Sequence, residues 1–232
     1  MEQSLDFSSN FYNWKYDSPI ERELGEQLGK YVDFTHFDII PQYEVHSSGG
    51  IFFLDYLVKG KECKCAIECD GKDYHEYYAD LYRDAWLLGE KHIDEMIRFK
   101  GRDIVRCPSI CMYFLYKTIP GLIKERSVHV IETEARNEGW NIQQKEDPEG
   151  EHFYDEIGWE ESSTQDKCWG YGYGFCAEVI HRHTRFSLDC YGERIVPEWG
   201  KAFTYIARRQ IRSKNDFVSK YPHRFDGTNT GY

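Results

Sequence analysis

No apolar run in this sequence approaches the length of a membrane span. The longest nearly uncharged stretch, Cys107 to Tyr116, falls far short of the roughly 20 residues that cross a bilayer as a helix, so membrane-spanning function is not expected. The opening MEQSLDFSSN has no basic region followed by an apolar one; no secretory signal is read there, and a cytoplasmic address is the expectation. There is no Walker-type glycine loop and no GxSxG nucleophile elbow, which disfavours an ATPase or a serine hydrolase. Tight CxxC pairs are missing as well. In a chain this long with no secretory signal read, the eight cysteines are expected to be reduced, most of them as small buried hydrophobes.

What the chain does have is enough apolar material to fold. Of its 232 residues 41% are hydrophobic and 16% aromatic, which excludes disorder along the whole length and allows one sizeable core with an elaboration or two small domains. The net charge of −11 argues against a protein that coats nucleic acid indiscriminately. That charge is unevenly placed: residues 181–232 carry a net +5 and residues 1–180 a net −16.

Ser18-Pro19-Ile20-Glu21 combines a capping residue, a proline in the first turn and a glutamate three residues after the cap, the spacing of a capping box. With Ile20, Leu24 and Leu28 four apart, it predicts a helix to about Val32. Three strands are predicted next: Ile39 to Val45, whose proline suits an edge, the aromatic and aliphatic Gly50 to Val58, and the alternating Cys63 to Cys69. Short connections between them predict an antiparallel meander. A helix over Glu76 to Leu88, a strand at Met96 to Phe99 and a buried helix at Ser109 to Tyr116 complete a mixed-sheet α/β domain ending near Arg126. Residues 137–168 hold ten acidic residues against Lys145 and Lys167 and read as a solvated loop or insertion. The expected division is an N-terminal extension at 1–17, the core at 18–126, an acidic linker or insertion at 127–168, and an aromatic and basic C-terminal elaboration at 169–232.

Three acidic residues stand where a fold usually places apolar ones. Asp55 interrupts FFLDYL, and Glu68 and Asp70 interrupt or end AIECDG. Burying a lone carboxylate is expensive even after relaxation, so these positions need a partner that stabilises negative charge, and a hard cation is the obvious one. The two-residue period puts Glu68 and Asp70 on one face, and strand pairing can bring Asp55 to it. Converging carboxylates suit Mg²⁺, which keeps several waters. His75, five residues after Asp70, is placed to carry a proton or bind a phosphate. Asp80 and Arg83, three apart, read as an exposed helix pair. Cys168, Cys176, His181, His183 and Cys190 supply enough ligands for a competing zinc site, although no tight pair marks one.

Taken in order, Glu21 on the first helix, Asp55 in the hydrophobic strand, Glu68-Cys69-Asp70-Gly71 with His75, then Asp80, Arg83, Gly89 and the strand MIRF resemble the PD-(D/E)XK nuclease superfamily. More narrowly, they are similar to the branch related to very-short-patch-repair endonucleases. The resemblance covers about Ser18 to Arg126. It implies a restriction-endonuclease-like core that cleaves DNA with Mg²⁺, or with Mn²⁺ as its substitute, held by Asp55 and Glu68. It puts Asp70, a further carboxylate toward the metal, where the superfamily usually has lysine, matches His75 to the branch histidine, and has Glu21 complete the site. Lys72 is close to the lysine position in sequence but sits in a turn.

The function expected from the sequence is thus Mg²⁺-dependent endonucleolytic hydrolysis of DNA. Two other readings stand beside it: a nuclease-fold nucleic-acid-binding or scaffold module that has lost turnover, and a zinc-stabilised interaction protein that meets a protein partner through the acidic segment. For grip on DNA, a predicted helix from Pro197 to Ser213 sets Lys201, Tyr205, Arg208 and Arg212 on one side and Trp199, Phe203, Ile206 and Gln210 on the other.

Overall fold

The structure, a computed structural model, describes residues 14–71, 77–138, 140–146, 153–159, 177–181, 185–189 and 192–196. Helix α1 (Pro19–Tyr31) begins as the capping pattern predicts: Ser18 Oγ accepts the Glu21 N–H at 3.3 Å and proline fills the first turn. Strands β1 (Asp38–Ser47), β2 (Gly50–Lys59) and β3 (Lys64–Asp70) follow as the antiparallel meander, with β1 and its Pro41 at a sheet edge. Helix α2 (Tyr77–Gly89) connects β3 to β4 (Glu95–Lys100), which lies parallel to it. A short α3 (Gly101–Arg106), too brief to show a period, precedes α4 (Pro108–Thr118).

The core continues beyond Arg126, where the sequence reading ended it. After a 3-10 turn at Glu125–Ser127, α5 (Val128–Asn137) packs on α4 and buries Ile131 and Ala135 in the same cluster. The acidic stretch expected to be loop contains an antiparallel pair, β5 (Trp140–Glu146) and β6 (Phe153–Trp159). The chain then returns to the main sheet. Strand β7 (Ala177–His181) pairs antiparallel with β4 and is followed by β8 (Arg185–Asp189) and β9 (Gly192–Val196), giving the order β1-β2-β3-β4-β7-β8-β9. The sheet therefore spans the expected boundary at 127–168. The predicted helix from Pro197 to Ser213 lies outside the described residues. Among the described residues no helix is long and apolar enough to cross a membrane.

Two apolar clusters cover the two faces of this mixed sheet. On one face Leu24, Leu28 and residues of α4 and α5 meet Tyr56, Val58, Cys65, Ile67, Cys69, Ile97 and Phe99. On the other, Leu81, Ala85 and Leu88 of α2 meet Leu57, Ala66, Met96 and Ile180. Strand alternation therefore sends Glu68, Asp70 and Arg98 toward α2, the same side as Ala66 and Met96.

One irregularity positions the site. Tyr56 and Val58 face α1, yet Leu54 and Phe52, which regular alternation would place with them, pack under α2; Ile39 and Val45 of β1 divide in the same way. The ladder pairs Pro41 with Tyr56 and then Tyr43 with Leu54, skipping Gln42 and Asp55, and Gln42 has φ +50°. A left-handed backbone is uncommon outside glycine. Here it marks the point where both strands exchange faces, and Asp55 stands at that crossover.

Candidate active site

Asp55, Glu68 and Glu21 converge on the crossover from β2, β3 and α1. Asp55 Oδ2 accepts the Cys69 N–H at 2.7 Å, which ties the irregular point of β2 to β3 one residue past Glu68. Burial pushes the Asp55 carboxyl up to about 7, and the charges of Glu68 and Glu21 add to the rise against the Cys69 N–H and Arg83. The Cys69 thiol is raised too, by burial and by Asp55, Glu68, Glu21 and Asp70, so it stays protonated and is no nucleophile.

Glu21 is only 6% exposed, and its Oε2 accepts the Asp17 N–H at 2.9 Å and Gln42 Nε2 at 2.6 Å. The capping-box glutamate thus reaches one residue further back than Ser18 and binds the irregular residue of β1 as well. Its backbone is held by the Tyr56 hydroxyl, which donates to the Glu21 carbonyl. Gly25 makes that approach feasible: a Cβ there would lie 2.7 Å from Tyr56 Oη and 2.6 Å from Tyr16 Oη.

Glu68 and Asp70 have arginine partners that the sequence reading did not assign. Arg83 of α2 donates to Glu68 Oε2 at 2.7 Å, whereas Glu68 Oε1 is buried with no hydrogen-bond partner among the described residues. Arg98, in register with Glu68 on β4 and 3% exposed, donates to Asp70 Oδ1 at 2.9 Å and to the fully buried Asp84 Oδ1 at 2.7 Å, with Asp80 at 4.0 Å. Burial alone would lower the Arg98 pKa, but Asp84, Asp70, Glu68 and Asp80 hold the guanidinium well above its ordinary value. Burial raises Glu68, with Arg83 and Arg98 opposing. Asp80 and Arg83 are therefore no exposed pair. They project toward the sheet because α2 turns the Leu81, Ala85 and Leu88 stripe onto it, and Asp84 shares that stripe.

Among the described residues, then, six carboxylates (Glu21, Asp55, Glu68, Asp70, Asp80 and Asp84) share this region with two guanidiniums. The signal for Arg98 was present in the sequence: it interrupts MIRF as Asp55 interrupts FFLDYL. No group of three or more His, Cys, Asp and Glu side chains among the described residues is arranged to hold a metal ion. His75 and Lys72 lie outside the described residues, as do Lys201, Tyr205, Arg208 and Arg212, and Cys168, Cys176, His183 and Cys190. His181 is described, at the end of β7 with Nε2 3.6 Å from Glu95 Oε1. No family model, no curated protein and no solved structure matches this chain.

Two outcomes follow from these charges. Asp84→Ala leaves the Arg98 guanidinium without its most buried partner and is expected to destabilise the protein by about 3–5 kcal/mol, read from denaturant unfolding; a loss under ~1 kcal/mol contradicts a buried ion pair. Asp55 has a folded pKa of about 7 against an ordinary 3.8, so folding favours its protonated form. That contribution is fully present below about pH 4 and is lost as pH rises through about 7. Glu95, raised to about 7 by burial and Asp94, acts with the same sign. In metal-free buffer the parent is expected to lose stability over this range and Asp55→Asn to lose less. A pH-independent difference between the two proteins contradicts the placement of Asp55.

Proposed function

We propose that this chain is a metal-dependent endonuclease that hydrolyses DNA phosphodiester bonds, with a restriction-endonuclease-like core of the PD-(D/E)XK kind in the branch similar to very-short-patch-repair endonucleases. The observation that carries the reading is the adjacency of Asp55 and Glu68. Asp55 has no cationic hydrogen-bond partner among the described residues and a carboxyl driven up by burial and then by Glu68 and Glu21; Glu68 keeps a buried oxygen unsatisfied. The element order α1, β1, β2, β3, α2, β4 over which the resemblance runs supports it.

These residues fit a small hard cation held by Asp55 and Glu68, since Mg²⁺ is commonly bound through one or two carboxylates and keeps waters and substrate oxygens as its other ligands. When bound, Mg²⁺ or Mn²⁺ supplies charge neutralisation at the phosphate and a more acidic water. The chain's own residues prepare that place. Arg83 fixes Glu68 through Oε2 and leaves Oε1 available, and the Cys69 N–H fixes Asp55 through Oδ2. Gln42 and the Asp17 N–H hold Glu21 at the rim. Asp70, in the position of the usual lysine, is bound to Arg98 and is not the base. Proton transfer is assigned to His75, carried by the resemblance. The same Arg98 contact is what favours the second reading, a module that keeps the fold and has lost turnover.

Incubating the purified full chain with labelled DNA and RNA structures in Mg²⁺, Mn²⁺ or EDTA separates the two. Cleavage of DNA is expected with either metal and none in EDTA. Asp55→Asn and Glu68→Gln should abolish it while remaining folded, and His75→Ala should slow it by roughly 10²–10⁴-fold. Parent-like cleavage by both carboxylate variants contradicts the site, and no cleavage of any substrate by the parent leaves the inactive module.

A further inference from the structure

At the crossover, Gln42 holds a backbone conformation that its own side chain disfavours. Its φ of +50° is left-handed, which glycine adopts freely and a longer residue only with strain. Yet the position carries a glutamine, and its Nε2 donates to Glu21 Oε2 at 2.6 Å. The β1–β2 ladder skips Gln42 and Asp55 together, so Gln42 stands opposite Asp55, and its amide joins that point of the hairpin to α1. The chemistry of the donor matters too. Glu68 and Asp70 are held by guanidiniums, which offset their charge, whereas both hydrogen bonds to the Glu21 carboxylate come from neutral donors, the Gln42 amide and the Asp17 N–H, and both fall on Oε2. Glu21 is thereby fixed without being neutralised, and its charge still acts on Asp55.

We propose that Gln42 is a positioning residue for the Asp55–Glu68 cation site: its amide sets Glu21 so that Oε1, which accepts no hydrogen bond among the described residues, receives one from a water that the bound cation keeps. A small hard cation held through two carboxylates retains several waters, and those waters need acceptors. Groups hydrogen-bonded to a metal's ligands alter its affinity by roughly 10–100-fold when they are removed. A third carboxylate held at one remove also agrees with the finding that no group of three or more metal-binding side chains is gathered among the described residues. The strain at Gln42 then has a use, because it is the conformation from which a β1 side chain reaches back to α1. The inference rests on the reading of Asp55 and Glu68 as a cation site, and its test reads metal affinity and stability without cleavage.

Isothermal titration calorimetry of Mn²⁺ into the metal-free full chain, read beside thermal unfolding, provides that test with two variants that lack the donor. Gln42→Met keeps the length of the side chain and the strained backbone, whereas Gln42→Gly removes the strain. The glycine variant is expected to unfold at a higher temperature than the methionine variant, while both bind Mn²⁺ roughly tenfold more weakly than the parent. In a Glu21→Gln background, Gln42→Gly should bring no further loss, since the amide acts through that carboxylate. Parent-like Mn²⁺ affinity in Gln42→Gly overturns the proposal, as does an affinity that follows unfolding temperature across the variants or a full further loss in the Glu21→Gln background. Should Gln42→Met fail to fold, Gln42→Gly decides alone. A parent that binds no Mn²⁺ removes the cation site and this role with it. Weakened Mn²⁺ binding in the Gln42 variants of a protein that cleaves no DNA keeps the role and removes the nuclease reading. Metal-dependent cleavage with parent-like Mn²⁺ affinity in those variants does the reverse.

Discussion

A guanidinium enclosed beneath a helix sets the terms for the rest of this molecule. Arg98 projects from the middle of β4 with 3% exposure, and a charge so placed must be met by carboxylates or the strand cannot pack. Asp84 meets it from α2 and Asp70 from β3. Apolar contacts between α2 and the sheet are tolerant of small shifts, whereas two directed ion pairs are not. The helix is thereby fixed across β3 and β4 in the one position that also lays Arg83 on Glu68. Burial of one cation thus propagates into the geometry of the whole carboxylate region.

That network neutralises some acids and leaves others out. Glu68 and Asp70 each hold an arginine, but Asp55 has a backbone N–H in place of a cation, and the charges of Glu68 and Glu21 act on it together with that of Arg83. The arrangement is deficient in positive charge at one point, where β1 and β2 exchange faces. A proton meets the deficiency at low pH. In the function proposed above, a divalent cation takes that role near neutrality, with no need for the six carboxylates to act alike.

The elements that read clearly in the sequence were those with a strong period or clean punctuation. α1 was marked by Ser18 and Pro19, β2 and β3 by apolar runs closed with short turns, and the edge position of β1 by Pro41. Asp55 and Glu68 stood out because charge inside an apolar strand demands compensation. The partners were harder to see. Arg83 and Asp80 have the spacing of a solvent-facing pair, and only the tertiary placement of Arg98 shows that they turn inward. Helix α5 buries only Ile131 and Ala135, with Val128 packed at the edge of the core and Val130 exposed, so its apolar residues mark no single clear stripe. Strands β5 (WNIQQKE) and β6 (FYDEIGW) hold few charges themselves but lie within a stretch whose ten acidic residues read as loop or insertion. The crossover at Gln42 has no signal at all in residue type; it is a consequence of both strands serving two cores.

The central claim is that Asp55 and Glu68 together form a place for one divalent cation. Electron paramagnetic resonance of Mn²⁺ titrated into the metal-free full chain at about pH 8, where the raised Asp55 carboxyl is ionised, tests it directly. One bound Mn²⁺ per chain is expected in the parent and in Asp70→Asn, whose carboxylate is committed to Arg98, and none in Asp55→Asn. No bound Mn²⁺ in the parent, or the same single ion in Asp55→Asn, contradicts the account.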